Sequence, residues 1–288
     1  MTETTPAKTP VVWTQIPEGP HDIRLVVSDL DGTLLDENSQ MPQEFWDLAE
    51  TFAERGIVFV PSSGRQYARL KGEFERLGKG VSYIAENGNL VVHDDHPISV
   101  ISVDDEAVQR IIARSREAAE VRNIGLVVCG VKSAYIERGD REFVKECDKY
   151  YADLTLVDDL TEVRDDVLKL AVYDFDDSEA NYETQFKEAA RGYQAVLSGK
   201  HWLDIMQVGV DKGQGVIRLQ EELGVSPEQT AVFGDYLNDL EMLGAGHWSF
   251  AVENAHPQIK EAANYLAPAN SENGVVSVLR RLLGEESA

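Results

Sequence analysis

Two stretches of strand–helix alternation, separated by a long stretch with a different rhythm, constrain this chain more than any other feature. In the first, residues 24–28 read as a buried strand. Residues 43–55 read as a helix, because Phe45, Leu48, Ala49 and Phe52 recur at spacings of three and four and Gly56 ends the run. A strand at 57–60, a helix at 66–77 stopped by Gly78, and a strand at 83–85 before the turn signal Asn87-Gly88 complete it. This order predicts a parallel sheet with right-handed crossovers. The alternation resumes at Lys212, with a helix to Leu223, a break at Ser226-Pro227, a strand at 230–233, a helix after Asn238, a strand at 249–252 and a last helix at 275–283. Between the two stretches, helices at 104–119, 140–150 and 178–191 interleave with strands at 125–129, 153–157, 168–173, 193–198 and 202–206. Several of these strands follow one another across short turns such as Ser198-Gly199, which predicts an antiparallel sheet with helices on one face.

The expected fold class is α/β: a Rossmann-like, doubly wound parallel-sheet core with an inserted α+β domain. The expected boundaries are a disordered N-terminal extension at 1–21, the core at 22–91 and 206–288, and the inserted domain at 92–205. Residues 1–20 are rich in Thr and Pro and lack the basic start and apolar stretch of a signal peptide. No apolar run approaches the ~20 residues that span a bilayer. A cytoplasmic location is expected, with no membrane partner.

The charge narrows function further. A net charge of −24 repels nucleic acid and anionic membranes, and phosphorylated substrates as well. A phosphate site on this chain therefore needs local positive charge, from a metal or from a few placed cations. Cys129 and Cys147 form no Cys-x-x-Cys pair, so no zinc or thioredoxin-like motif is present.

Four segments carry the candidate chemistry, each just after an expected core strand or at the entry to a core helix. In Asp29-Leu30-Asp31-Gly32-Thr33 the two acids, two apart in an extended segment, can face the same side, and Gly32 permits a tight turn. Paired carboxylates suit divided roles, one ionised and one able to hold a proton. A calcium loop is excluded, since the sixth and twelfth positions from Asp29 are Leu34 and Gln40 rather than Gly and Glu. Ser62-Ser63-Gly64-Arg65 sets hydroxyls and a glycine before a helix, an arrangement suited to an anion or to an ordinary helix cap. Lys212 opens a helix against its dipole, which suggests phosphate neutralisation or an exposed lysine. Gly234-Asp235-Tyr236-Leu237-Asn238-Asp239 places oxygen ligands suited to Mg²⁺ after a strand, or caps the next helix.

In this order the four segments resemble the motifs of the haloacid dehalogenase superfamily, and within it the Cof-type phosphatases with a large cap. The resemblance covers residues 22–288: Asp29 to Thr33 match the first motif, Ser63-Gly64-Arg65 the second, Lys212-Gly213 the third and Gly234 to Asp239 the fourth. Glu86-Asn87-Gly88 and Val252-Glu253-Asn254-Ala255 add weaker similarity. Ser63 lies 34 residues after Asp29, which leaves no room for a cap, whereas Lys212 lies 149 after Ser63, which holds one. Tyr236 stands where the family usually has a small residue.

The resemblance implies a Mg²⁺-dependent phosphatase acting on small phosphorylated metabolites, sugar phosphates or similar phosphomonoesters. It assigns Asp29 as nucleophile, Asp31 as acid and base, and Ser63 and Lys212 as phosphate partners. It assigns Gly64, Arg65, Asn87, Asn238 and Asn254 to substrate or phosphate binding, and Asp29, Asp31, Asp235 and Asp239 to the metal. A phosphomannomutase-type transferase and a non-catalytic binding protein are the alternatives. The expected partner is a small metabolite bound by a monomer or homodimer. Lys132, Tyr135, Lys169, Tyr173, His201 and Trp202 are the cap residues considered for substrate contact. His93-Asp94-Asp95-His96 reads as a solvated loop.

Overall fold

The computed structural model describes residues 10–78, 80–197 and 200–285. Its backbone contacts divide it into two units. One holds the chain up to Ser63 with Glu75–Ile98 and the chain from Asp211 onward; the other holds Gly64–Phe74 and Ser99–Val210.

Part of the expected N-terminal extension is ordered. Strand β1 (Val11–Val12) makes a short parallel edge strand, and Ile16 is buried with its carbonyl accepting from Arg281 Nε at 2.6 Å. Two β-branched residues beside an open sheet edge gain ladder hydrogen bonds that composition alone did not suggest. Residues 1–9 of that extension lie outside the described residues. Strand β2 (Leu25–Ser28) is buried throughout. Helix α1 (Gln43–Arg55) buries Phe45, Leu48 and Phe52, the stripe its periodicity predicted, and stops at Gly56 with φ 64°. Phe45 and Phe52 pack on Phe59 of β3 (Val58–Pro61). Helix α2 (Tyr67–Glu73) is shorter than the expected 66–77 and is followed by a single 3₁₀ turn. Strands β4 (Ser82–Ala85), β5 (Leu90–His93) and β6 (His96–Val100) make a separate small sheet. The strand expected to extend the core lies beside β3 through the parallel bridge Ser62–Ile84 and the Ser63 N–H bond to the Ile84 carbonyl, and the chain then turns back at Asn87-Gly88 to pair β4 with β5. Asp94 and Asp95 are exposed at the next turn.

The second unit begins with α3 (Asp105–Ala119), capped by the Asp104 carboxylate, which accepts from the Ala107 N–H. It continues through β7 (Ile124–Gly130), β8 (Ala134–Ile136), α4 (Arg141–Cys147), β9 (Leu154–Leu156), β10 (Val167–Asp174), α5 (Ser178–Asn181), β11 (Gln194–Leu197) and β12 (Trp202–Met206). The sheet order is β11-β12-β10-β7-β8-β9. It is antiparallel except at β8–β9, which pair in parallel because the crossover through α4 returns the chain in the same direction. Residues alternate between faces along each strand. Leu126, Val128, Leu170 and Ile205 pack with Ile111 and Ile112 of α3, while Val127, Cys129, Ala171 and Trp202 pack with Phe143 and Cys147 of α4. Helices thus contribute to both faces, not to one as the sequence suggested. Both cysteines are buried free thiols. The expected helix at 178–191 is cut to the short α5 and one wider turn at 182–186. The Ser198-Gly199 turn lies outside the described residues.

The first unit resumes with α6 (Lys212–Leu223), β13 (Thr230–Gly234), α7 (Leu240–Ala245), β14 (Trp248–Val252), α8 (Pro257–Ala262), β15 (Tyr265–Ala267) and α9 (Gly274–Leu283). Its parallel sheet runs β1-β15-β14-β13-β2-β3. After β2 the chain first builds outward to β3; after the second unit it returns on the other side of β2 as β13. The strand order therefore reverses between β2 and β13, where open α/β sheets bind ligands beyond their carboxyl ends. Ser28 is in register with Phe233, so the segments that follow these strands emerge side by side.

Phe143 is fully buried, and its ring fills the space a Cβ on Gly125 would need. Phe143→Ala is expected to destabilise the second unit by about 3–5 kcal/mol, read as an earlier urea transition of that unit.

Candidate functional site

At the carboxyl end of β2 the chain turns at once. Gly32 takes φ 85°, and the Leu35 N–H closes the turn onto the Leu30 carbonyl at 2.9 Å. A Cβ at Gly32 would stand 2.5 Å from Asp235 Oδ2, so both handedness and space require glycine here. The turn leaves Asp29 buried and Asp31 exposed. Thr33 Oγ1 donates to Asp235 Oδ1 at 3.0 Å, tying the turn to the segment after β13.

Helix α6 supplies the cation. The Asp211 carboxylate caps it by accepting from the Gln214 N–H at 2.8 Å, which sets Lys212 in the first turn. The Lys212 side chain is 0% exposed, and its ammonium donates to Asp29 Oδ1 at 2.6 Å and to Asp239 Oδ1 at 2.7 Å. The second oxygen of Asp239 accepts from the N–H groups of Asp235 (2.9 Å) and Tyr236 (3.1 Å). Carboxylate oxygens of Asp29, Asp235 and Asp239 lie within 4.8 Å of one another.

The electrostatics follow from this crowding. Burial, offset in part by Lys212 and reinforced by the charges of Asp239 and Asp235, pushes the Asp29 carboxyl up to about 8. Burial and the Asp239 charge push Asp235 up to about 6. Burial alone would lower the Lys212 ammonium, but the Asp239 and Asp29 carboxylates outweigh it and hold the group above its ordinary value. Three acids and one lysine thus form a cluster with an unmet need for positive charge. Hard carboxylate oxygens at this spacing could hold a divalent cation such as Mg²⁺.

The other residues named from sequence fall around this cluster or outside it. Asn254 Nδ2 donates to the Gly32 carbonyl at 2.7 Å and steadies the turn. Asn238 Nδ2 donates to Asn87 Oδ1 at 3.2 Å, joining the β13 segment to the β4–β5 turn. Ser63 is held by its backbone, with its N–H on the Ile84 carbonyl (2.9 Å) and its carbonyl accepting from the Asn87 N–H (3.0 Å). Gly64 and Arg65 group with the second unit, where Arg65 Nη1 pairs with Glu73 Oε2 at 2.6 Å. The Asp31 carboxylate is not one of the three clustered acids. The six cap candidates all lie in the second unit. There Tyr135 donates to Asp165, Lys169 pairs with Asp204 at 3.4 Å, and Tyr173, His201 and Trp202 pack as aromatic neighbours.

Sequence reasoning missed two supports. Thr33 was read only as part of a motif, although its hydroxyl orients Asp235. Asn270 donates its backbone N–H to Asn254 Oδ1 and its side-chain amide to the Leu35 carbonyl; it follows no motif, and nothing local marks it.

A family model described as haloacid dehalogenase-like hydrolase matches residues 26–279. The chain belongs to that family. It is 30% identical over 268 residues to the 5-amino-6-(5-phospho-D-ribitylamino)uracil phosphatase YbjI of Escherichia coli, covering 92% of this chain and 98% of the relative. It is 27% identical to the phosphatase YwpJ of Bacillus subtilis, covering 91% and 100%. Among solved structures, SMU.1108c of Streptococcus mutans superposes with a TM-score of 0.77 at 25% identity, covering 91% and 100%. TM0651 of Thermotoga maritima shares the fold with a TM-score of 0.79 at 24% identity, covering 92% and 98%. The parallel-sheet core with additional sheets is the architecture of this haloacid dehalogenase-like family, in its Cof-type form, and the chain is a phosphoric monoester hydrolase. Among the described residues no helix is long and apolar enough to cross a membrane.

Replacing Lys212 by Met removes the cation from between two buried carboxylates, a change expected to cost about 3–5 kcal/mol. The loss has a definite pH sign. Asp29 titrates higher in the folded state than in the unfolded one, so its contribution is present below the unfolded carboxylate range and is lost as pH rises toward 8. Without Lys212 that loss deepens. Urea unfolding of Lys212→Met should therefore show a larger deficit against the native protein at pH 8 than at pH 5.

Proposed function

We propose that this chain is a magnesium-dependent phosphatase of small phosphorylated metabolites, sugar phosphates or similar phosphomonoesters, working through an aspartyl phosphate on Asp29. The observation that carries the reading is the fully buried Lys212 shared between Asp29 and Asp239, with Asp235 beside them. An ammonium in that place serves no surface role. It aims Asp29 and presents positive charge where a phosphoryl group would sit, which a chain of net charge −24 otherwise lacks. The Escherichia coli relative supports the substrate class, since the compound in its name is a small phosphorylated metabolite.

In the first step an Asp29 carboxylate oxygen attacks phosphorus, the bond from phosphorus to the leaving oxygen breaks, and Asp31 gives that oxygen a proton. In the second, Asp31 takes a proton from water, the water oxygen bonds to phosphorus, and the acyl–phosphate bond breaks to return Asp29 and free phosphate. The exposed position of Asp31 on the same turn suits proton exchange, and the buried position of Asp29 suits in-line attack. The Ser63 hydroxyl and the Lys212 ammonium hold the phosphoryl oxygens as charge develops on them. Asn87, Asn238 and Asn254 orient the surrounding loops, and Gly64 and Arg65 extend the phosphate-binding segment.

The donor set fits Mg²⁺. Asp239 spends Oδ1 on Lys212 and Oδ2 on two backbone amides. Asp29 and Asp235, with the carbonyl of Asp31, would therefore hold the ion, and Asp239 would fix Lys212 and the loop. Bound there, Mg²⁺ would neutralise phosphate charge and lower the repulsion among the acids.

A phosphate-release screen over sugar phosphates, nucleotides, flavin mononucleotide and pyridoxal phosphate tests the reading. Release should need Mg²⁺, vanish with a chelator, and fall at least about a thousandfold in Asp29→Asn. Background release from every compound, or a near-native rate in Asp29→Asn, would sink it. Mg²⁺ should also raise the thermal midpoint more at pH 8 than at pH 5.5, because its carboxylate ligands must be ionised to bind it.

A further inference from the structure

We propose that Asn270 is a positioning residue for Asp31, the acid and base of the reaction; the inference rests on the phosphatase reading above. Every residue it involves belongs to the first unit. Asp31 is exposed and lies in the turn after β2, so the backbone of that turn sets where its carboxyl group begins. The turn bends at Gly32 and closes with the Leu35 N–H on the Leu30 carbonyl. Its other carbonyls need donors from elsewhere.

Asn270 supplies one of these donors and aims a second. Its side-chain Nδ2 donates to the Leu35 carbonyl at 2.9 Å, 235 residues away in sequence. Its backbone N–H donates to Asn254 Oδ1 at 3.0 Å, which leaves Asn254 Nδ2 to donate to the Gly32 carbonyl at 2.7 Å. Accepting through Oδ1 fixes which end of the Asn254 amide faces the turn. Two carbonyls, one in the turn and one just past it, are thus fastened through a single residue.

That residue is firmly mounted. Asn270 is buried and opens a 3₁₀ turn (Asn270–Glu272), and its carbonyl accepts from the Asn273 N–H at 3.1 Å. The Gly274 N–H reaches back to the Ala269 carbonyl at 3.2 Å. A Cβ on Gly274 would stand 2.0 Å from the Pro268 carbonyl oxygen, so the mount closes only with glycine there. Helix α9 starts at Gly274 and buries Val275, Val276, Val278 and Leu279, which roots the mount in the core.

The two acids depend on this fastening unequally. Asp29 precedes the turn, and it is held by its own N–H on the Phe233 carbonyl at 3.0 Å and by the Lys212 ammonium at 2.6 Å. The Asp31 backbone lies inside the turn, between Leu30 and the fastened Gly32 carbonyl. Loosening Asn270 should therefore spoil proton transfer by Asp31 more than attack by Asp29. Such a defect depends on the leaving group. An alkoxide needs a proton as its bond to phosphorus breaks, whereas para-nitrophenolate is stable enough to leave without one.

The experiment compares kcat/KM of the full-length protein with Mg²⁺ on two esters: para-nitrophenyl phosphate and a sugar phosphate active in the release screen. Asn270→Asp keeps the shape and turns the donor into an acceptor; Asn270→Leu removes both; Asn270→Gln keeps a donor of longer reach. In Asn270→Asp and Asn270→Leu the sugar phosphate value should fall on the order of tenfold, with para-nitrophenyl phosphate within about threefold. Asn270→Gln should recover part of the loss, and Asp31→Asn should show the same contrast more deeply. A native sugar phosphate value in the variants, an equal loss on both esters, or failure of all three variants to fold would overturn the proposal, because a merely structural contact lowers the thermal midpoint without telling the two leaving groups apart. An equal loss on both esters in Asp31→Asn would overturn it as well. Native protein no more active than Asp29→Asn on either ester would overturn the phosphatase reading instead, so the two failures are distinguishable.

Discussion

The ammonium of Lys212, fully buried and bonded to two carboxylates, is the interaction on which the rest of the site depends. Asp29 follows the second strand, Asp239 follows the thirteenth, and Lys212 opens the helix between them. Three acids within 4.8 Å of one another repel strongly when buried. Lys212 makes that arrangement tolerable without cancelling it, and the raised Asp29 and Asp235 carboxyls record the positive charge still wanting. A site built this way is suited to receive a cation together with a phosphate. Filling the same space with apolar side chains would make a more stable and inert core.

The fold places these groups by a simple topological device. The two central strands of the parallel sheet, β2 and β13, are distant in sequence and adjacent in space. Their carboxyl ends deliver two acidic loops side by side, and the glycine turn after β2 brings the backbone close enough for Asp235 to lie against it. Backbone contacts then do much of the orienting: the amides of Asp235 and Tyr236 hold Asp239, and the carbonyl of Gly32 holds Asn254. Such contacts leave little trace in composition, because almost any side chain could accompany the amide that makes them.

Legibility varied with the kind of interaction. The α1 stripe of Phe45, Leu48 and Phe52 could be read because helix periodicity is local. The β4 strand was read in its place after β3, but the small sheet it makes with β5 and β6 was not, because the pairing partner of a short apolar run lies on another segment. The parallel β8–β9 pair and the edge pair β1–β15 were missed for the same reason. The roles of Thr33 and Asn270 escaped notice because their work is done on residues far along the chain.

Sequence alone determined the order of the motifs, the absence of room for a domain between Asp29 and Ser63, and the acids and lysine that chemistry would need. These follow from residue type and spacing, which are properties of the chain itself. Tertiary structure decided that Lys212 is buried rather than exposed, that Asp239 is occupied by Lys212 and two amides, and that the second unit takes in Gly64–Phe74 as well as Ser99–Val210. Each of these depends on the packing of segments remote in sequence. Burial, distance and hydrogen-bond saturation exist only once those segments meet.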